Sequence, residues 1–238
     1  MSLLARRATA ELVGTAFLVI AVVGSGIMAA RLFPTDTGLA LLENSIATGA
    51  ALAALIVALQ PVSASFNPVV TLVEKGLGLV DWRTAGALIV AQFVGGLLGT
   101  VVANLMFGLD AVALSSHART GPGLWLGEVV ATVGLLLVVF GTVRSGRADR
   151  VAFAVGGYIA AAYWFTSSTS FANPAVTLAR TLTNTFAGIA PASAPWFVVS
   201  QLVGGALGFV LVRYLYPLVA TPSSDASGAA AADRKVIS

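Results

Sequence analysis

Asn67-Pro68-Val69-Val70-Thr71-Leu72 is the stretch on which the architecture turns, because it recurs as Asn173-Pro174-Ala175-Val176-Thr177-Leu178 in the second half of the chain. Each copy lies deep inside a charge-free apolar run, residues 44–73 and 151–179. Both runs are too long for one membrane crossing of about 20 residues. Asn suits a helix N-cap, and Pro suits the first helical position, where its missing N–H is not needed. Each run therefore predicts a full span followed by a shorter re-entrant helix that begins at the Asn-Pro pair. For the first half-helix, Gly76 is the expected stop, with Lys75 favourable at its negative end.

Two further landmarks keep the same order around these boxes. Glu11-x-x-x-Thr15 recurs as Glu128-x-x-x-Thr132, and Gln92-x-Val94-Gly95-Gly96-x-x-Gly99 recurs as Gln201-x-Val203-Gly204-Gly205-x-x-Gly208. An ordered set of three repeats marks an internal duplication. Full spans are predicted over 8–30, 44–62, 84–107, 123–143, 151–167 and 196–217, so the halves are 8–107 and 123–217. Each half crosses three times, an odd number, and the second must be inserted upside down relative to the first. The prediction is an all-α membrane protein with six spans and two half-helices in an inverted repeat. It forms a single channel domain over 1–220, with a disordered Ser- and Ala-rich tail over 221–238.

Composition agrees. Of 238 residues, 58% are hydrophobic and only 10% charged, too apolar for a soluble domain. Arg6 and Arg7 ahead of an apolar run ending Met28-Ala29-Ala30 have the ingredients of a secretory signal. The run is long enough to span, however, and its counterpart recurs in mid-chain. The cationic residues are scattered between spans, which argues against nucleic-acid binding. Most fall on the side of the termini, against Arg31, Arg119 and Arg180 opposite, and this predicts cytoplasmic termini. Trp82, Trp125, Trp164 and Trp196 fall near predicted span ends, as an interfacial belt requires. With no cysteine and a single histidine, His117, the chain offers no metal or cofactor site and no enzymatic constellation.

Non-helical backbone at membrane depth persists only where protein buries it or water lines it. Two half-helices entering from opposite faces thus imply a wet path. Their N-termini each present roughly half a positive charge, and the Asn67 and Asn173 amides are donors beside them. Cations are repelled there and a proton wire is interrupted, whereas ions in general lose hydration in an apolar pore. Small uncharged solutes are the expected cargo. The glycines form small faces for close helix packing. Glu11 and Glu128 are either proton-relay groups or, preferably, acceptors for loop backbone N–H groups that hold each re-entrant segment. An inverted-repeat secondary transporter is the alternative, although the spans carry few other polar groups.

These landmarks resemble the aquaporin and aquaglyceroporin family, the major intrinsic proteins, over residues 8–217. The resemblance implies passive conduction, a homotetramer with one pore per subunit, and a bacterial inner or plasma membrane. It also implies a selectivity filter whose positions, counted from the boxes, fall at Thr48 (or Ala47), Ala161, Ser170 and Val176. Val69 stands where most members carry Ala, and Val176 where most carry the filter arginine. A filter of small, uncharged, non-aromatic residues implies a broad pore for water and glycerol, urea or undissociated metalloid acids. Arsenite as its trihydroxide is included by analogy with members having unusual filters. Arg180, four residues after Val176, either leans back to replace the missing charge or faces outside water.

Overall fold

A computed structural model describes residues 2–217. The predicted tail over 221–238 lies outside them. Among the described residues, eight α-helices follow one another: α1 Leu3–Leu32, α2 Thr37–Leu59, α3 Pro68–Gly76, α4 Trp82–Met106, α5 Pro122–Arg144, α6 Val151–Phe165, α7 Pro174–Ala179 and α8 Ala194–Leu215. Short 3-10 turns precede α6 at Ala148–Arg150 and follow α7 at Arg180–Leu182.

Six long helices and two half-helices are thus present in the expected order. Several ends differ from the predicted spans because capping, rather than hydropathy, sets them. Helix α1 starts at Leu3, where the Ser2 hydroxyl accepts from the Ala5 N–H at 3.2 Å. Helix α2 starts at Thr37, seven positions before the apolar run at 44, because Asp36 accepts from the Leu39 N–H at 3.0 Å. Five of the long helices are long and apolar enough to cross a bilayer. The sixth, α6, has 15 residues, about 22 Å of helix, and the 3-10 turn stacked on its start lengthens it. The first half-helix ends at Gly76, as expected, and the left-handed residue that closes it is Gly78, two positions on. Gly78 adopts φ +77°, and the Leu79 N–H donates to the Glu74 carbonyl at 2.9 Å, the closing bond of a Schellman turn.

The glycine faces let helices approach closely. Gly95 and Gly99 of α4 lie against the Leu12 and Ala16 carbonyls of α1, and Gly204 and Gly208 of α8 against Val129 and Leu136 of α5. Helices α2 and α6 cross at Gly49 and Gly156: a Cβ on Gly49 would lie 2.6 Å from the Gly156 carbonyl oxygen, and one on Gly156 2.5 Å from that of Gly49. This crossing is one of the places where the two halves of the chain meet. The outward faces stay apolar, with Phe17, Val90, Phe153 and Val210 exposed, as a lipid-facing surface requires.

Candidate functional site

Both Asn-Pro pairs start half-helices in the way their chemistry dictates. The Asn67 Oδ1 accepts from the Val69 N–H at 2.9 Å, and the Asn173 Oδ1 from the Ala175 and Val176 N–H groups at 3.0 and 3.2 Å. The two asparagines also reach across the midplane to each other's loops. The Asn67 Nδ2 donates to the Ala172 carbonyl, and the Asn173 Nδ2 to the Phe66 carbonyl, each at 2.7 Å. One amide hydrogen of each is committed to this reciprocal lock, and the second has no protein partner among the described residues.

The lock needs the preceding residues in a costly conformation. Phe66 and Ala172, each immediately before an Asn, adopt φ +47° and +48°, left-handed geometry that a side chain disfavours. Two buried carboxylates hold them there. Glu11 accepts from the Phe66 N–H at 2.7 Å, the Ser65 N–H at 2.9 Å, the Ser63 hydroxyl at 2.5 Å and the Gln92 amide at 2.8 Å. Glu128 accepts from the Phe171 N–H at 2.9 Å, the Ala172 N–H at 2.8 Å and the Gln201 amide at 2.6 Å. Both glutamines also donate to the threonine of a box, Gln92 to Thr71 at 2.9 Å and Gln201 to Thr177 at 2.8 Å. Each acid thus accepts hydrogen bonds from its own re-entrant loop and from a glutamine of the helix behind it.

A channel of about 560 Å³ runs through this centre. Leu18 and Val22 of α1, Thr48, Leu52 and Ile56 of α2, Leu135 and Val139 of α5, and Val155 and Ile159 of α6 line it. At one end are Arg7, Gln60, Ser65 and Glu74, and at the other Tyr163, Ser170, Phe171, Val176 and Arg180, with Asn67 and Asn173 between. The Ser65 hydroxyl donates to the Glu74 carboxylate at 3.0 Å, so the first mouth is polar while the walls are aliphatic.

Thr48, Ser170 and Val176 line the channel, and Ala47 does not. Ala161 does not line it either, and is exposed on the outer face of α6. Tyr163 occupies the wall instead, and its hydroxyl donates to the Thr48 hydroxyl at 3.3 Å. The reason is helical period: Val151, Val155, Ile159 and Tyr163 follow at i, i+4 on one face, and Ala161 points roughly the opposite way. Counting back from Asn173 goes astray because the linker 166–172 is tightly wound, with Thr169 and Ser170 also at positive φ. Counting forward from the start of α6, along Val151, Val155 and Ile159, would have found Tyr163.

The end of the channel at Val176 and Arg180 is also neither uncharged nor free of aromatics. Arg180 is only 2% exposed, and does not face outside water. Its Nε donates to the Ala187 carbonyl, and its guanidinium lies 3.5 Å from the centroid of the Phe171 ring. Arg119, in the loop between α4 and α5, sits 5.3 Å from the same ring and donates to the Gly188 carbonyl at 3.0 Å. Burial holds the Arg119 guanidinium below its usual range. Phe171 and Arg119 had no counterpart among the sequence-derived site residues, since only folding brings the loop at 119 and the segment 180–188 onto the ring.

Against known proteins, the chain matches the Major intrinsic protein family over residues 2–152 and again over 144–236, so both halves carry the family pattern. It belongs to the major intrinsic protein family and is a membrane channel, not an enzyme. It is 50% identical to Aquaglyceroporin AqpS of Rhizobium meliloti (strain 1021) over 213 residues, 89% of this chain and 91% of that protein. It is 29% identical to Probable aquaporin AqpM of Archaeoglobus fulgidus, covering 89% of this chain and 97% of the relative. The X-ray structure of the aquaglyceroporin from Plasmodium falciparum superposes with TM-score 0.70 at 16% identity, over 91% of this chain and 97% of that one, which establishes the shared fold.

Proposed function

We propose that this channel conducts water together with larger uncharged solutes: glycerol, urea or undissociated metalloid acids such as arsenite as its trihydroxide. The observation that carries the proposal is the channel itself, about 560 Å³ with aliphatic walls, interrupted only at the paired asparagines and at its two polar mouths. Such a wall strips an ion of its hydration at a penalty of several kcal/mol, while a neutral solute loses little. Val176 in the place of a long filter side chain leaves room for solutes bulkier than water. The name aquaglyceroporin carried by the half-identical relative favours the same size class. Flow is passive, because the buried carboxylates a transporter would use for coupling are saturated by loop N–H groups.

The chain works in a plasma membrane, in bacteria the inner membrane, with both termini in the cytoplasm, a placement favoured by the excess of Lys and Arg on that side. Its exposed apolar faces on α2 and α6, including Leu42, Ile46, Phe153 and Trp164, suit either lipid or the neighbours in a homotetramer. Stopped-flow light scattering of proteoliposomes tests the solute range. Water, glycerol, urea and arsenous acid should all shrink or swell the vesicles faster than protein-free controls. Acceleration of water alone would overturn the broad-pore assignment.

A further inference from the structure

Arg180 is a buried cation on the channel wall, and among the described residues it forms no ion pair. The ion pair that does form joins Arg150 to Asp149 at 3.9 Å on the surface, beside the start of α6 and at the opposite end of that helix from Tyr163. Arg180 is held instead by a backbone carbonyl, that of Ala187, and by the face of Phe171 at 3.5 Å. Both contacts leave the charge intact and fix the plane of the guanidinium. Of its five N–H donors, only the one on Nε has a protein partner among the described residues. The Nη1 and Nη2 atoms are not sealed off, and the side chain lines the channel. At the same end of the channel, the Ser170 hydroxyl is buried without a partner, and the Tyr163 oxygen keeps its lone pairs after donating to Thr48.

We propose that Arg180, laid against Phe171, is the charge filter of this channel, relocated one helical turn beyond Val176, and that with Ser170 and Tyr163 it binds oxygen-bearing neutral solutes. Arg180 supplies donors to solute oxygens, while Ser170 and Tyr163 accept from solute hydroxyls. The fixed charge repels cations at the outer mouth, before they reach the asparagines. The volume that a long side chain at 176 would fill stays open, so charge exclusion and a wide bore coexist. The proposal rests on the pore function above.

The test uses the full chain in proteoliposomes, with neutral flux read by light scattering and sodium and proton leak read by entrapped dyes. Arg180→Ala should raise the leak at least about tenfold, the order expected from losing one unit charge several ångströms from the axis at an effective dielectric near 20, and should lower the glycerol-to-water flux ratio. The double variant Val176→Arg with Arg180→Ala puts the charge one turn back; it should restore exclusion to within about threefold of wild type and reduce glycerol flux relative to water. Arg180→Lys, which keeps the charge but not the planar donors, should retain exclusion and lose glycerol preference; it also serves if Arg180→Ala does not fold. A folded Arg180→Ala channel with unchanged leak and unchanged glycerol-to-water ratio overturns the proposal, as does an Arg180→Lys channel identical to wild type in both readouts. Absence of any neutral flux through the folded wild type would instead refute the pore function itself.

Discussion

Val69 and Gly205 form a size pair that a double-mutant cycle can weigh. A Cβ placed on Gly205 of α8 would lie 2.6 Å from the Val69 Cγ1 on the half-helix α3. Carbon atoms prefer about 3.5–4.0 Å, so the overlap is about 1 Å, and overpacking of this kind costs about 1–3 kcal/mol. Gly205→Ala also gains about 1 kcal/mol of helix propensity, which partly masks the clash. Val69→Ala by itself removes two methyl groups from a site only 2% exposed, a loss of about 2 kcal/mol or more once the void is counted. In the double variant the new methyl of residue 205 enters the vacated space, and the propensity gain is retained. Subtracting the single effects cancels the propensity contribution and leaves a favourable coupling of about 1–3 kcal/mol. Unfolding in mixed micelles, followed by tryptophan fluorescence, measures all four corners. Additivity within about 0.5 kcal/mol would refute the contact.

Replacing Glu128 by Leu orphans the Phe171 and Ala172 N–H groups and one of the two Gln201 amide N–H donors, at about 1–3 kcal/mol each, so the yield of monodisperse protein in size-exclusion chromatography should collapse. Normal yield with altered proton leak would make the acid a relay group instead. Gly156→Ala should disrupt the crossing of α2 and α6 and lower thermal stability, whereas Gly157→Ala, which meets nothing within 4 Å, should not; equal effects would deny that the crossing constrains residue size. Asp81 caps α4 through Thr84, and those hydrogen bonds hold its carboxyl below the usual range. A depressed value means the cap stabilises above the unfolded value, near 4, and is lost as pH falls through the folded one. Amide exchange in the first turn of α4 should therefore be faster in Asp81→Ala than in wild type at pH 7, the two converging in acid; no difference at pH 7 would deny the cap.

The architecture is legible in the order of residues alone. Asn67-Pro68 and Asn173-Pro174 start helices through local capping chemistry, and the paired glutamates, glutamines and glycines recur because each half builds the same local structure. Hydropathy located the crossings, since a bilayer imposes its length on any span. The end of the channel at Tyr163 and Arg180 is different, because it is settled by contacts between segments far apart in the chain. Tyr163 replaces Ala161 there because the winding of the linker 166–172 sets the register between α6 and Asn173, and no count from the box reveals that winding. Arg180 turns inward because Phe171 and the Ala187 carbonyl, which lie nine residues before it and seven after, meet around its side chain. A long cation's direction is set by whichever groups the fold brings within reach, and that is a property of three-dimensional packing rather than of spacing along the chain.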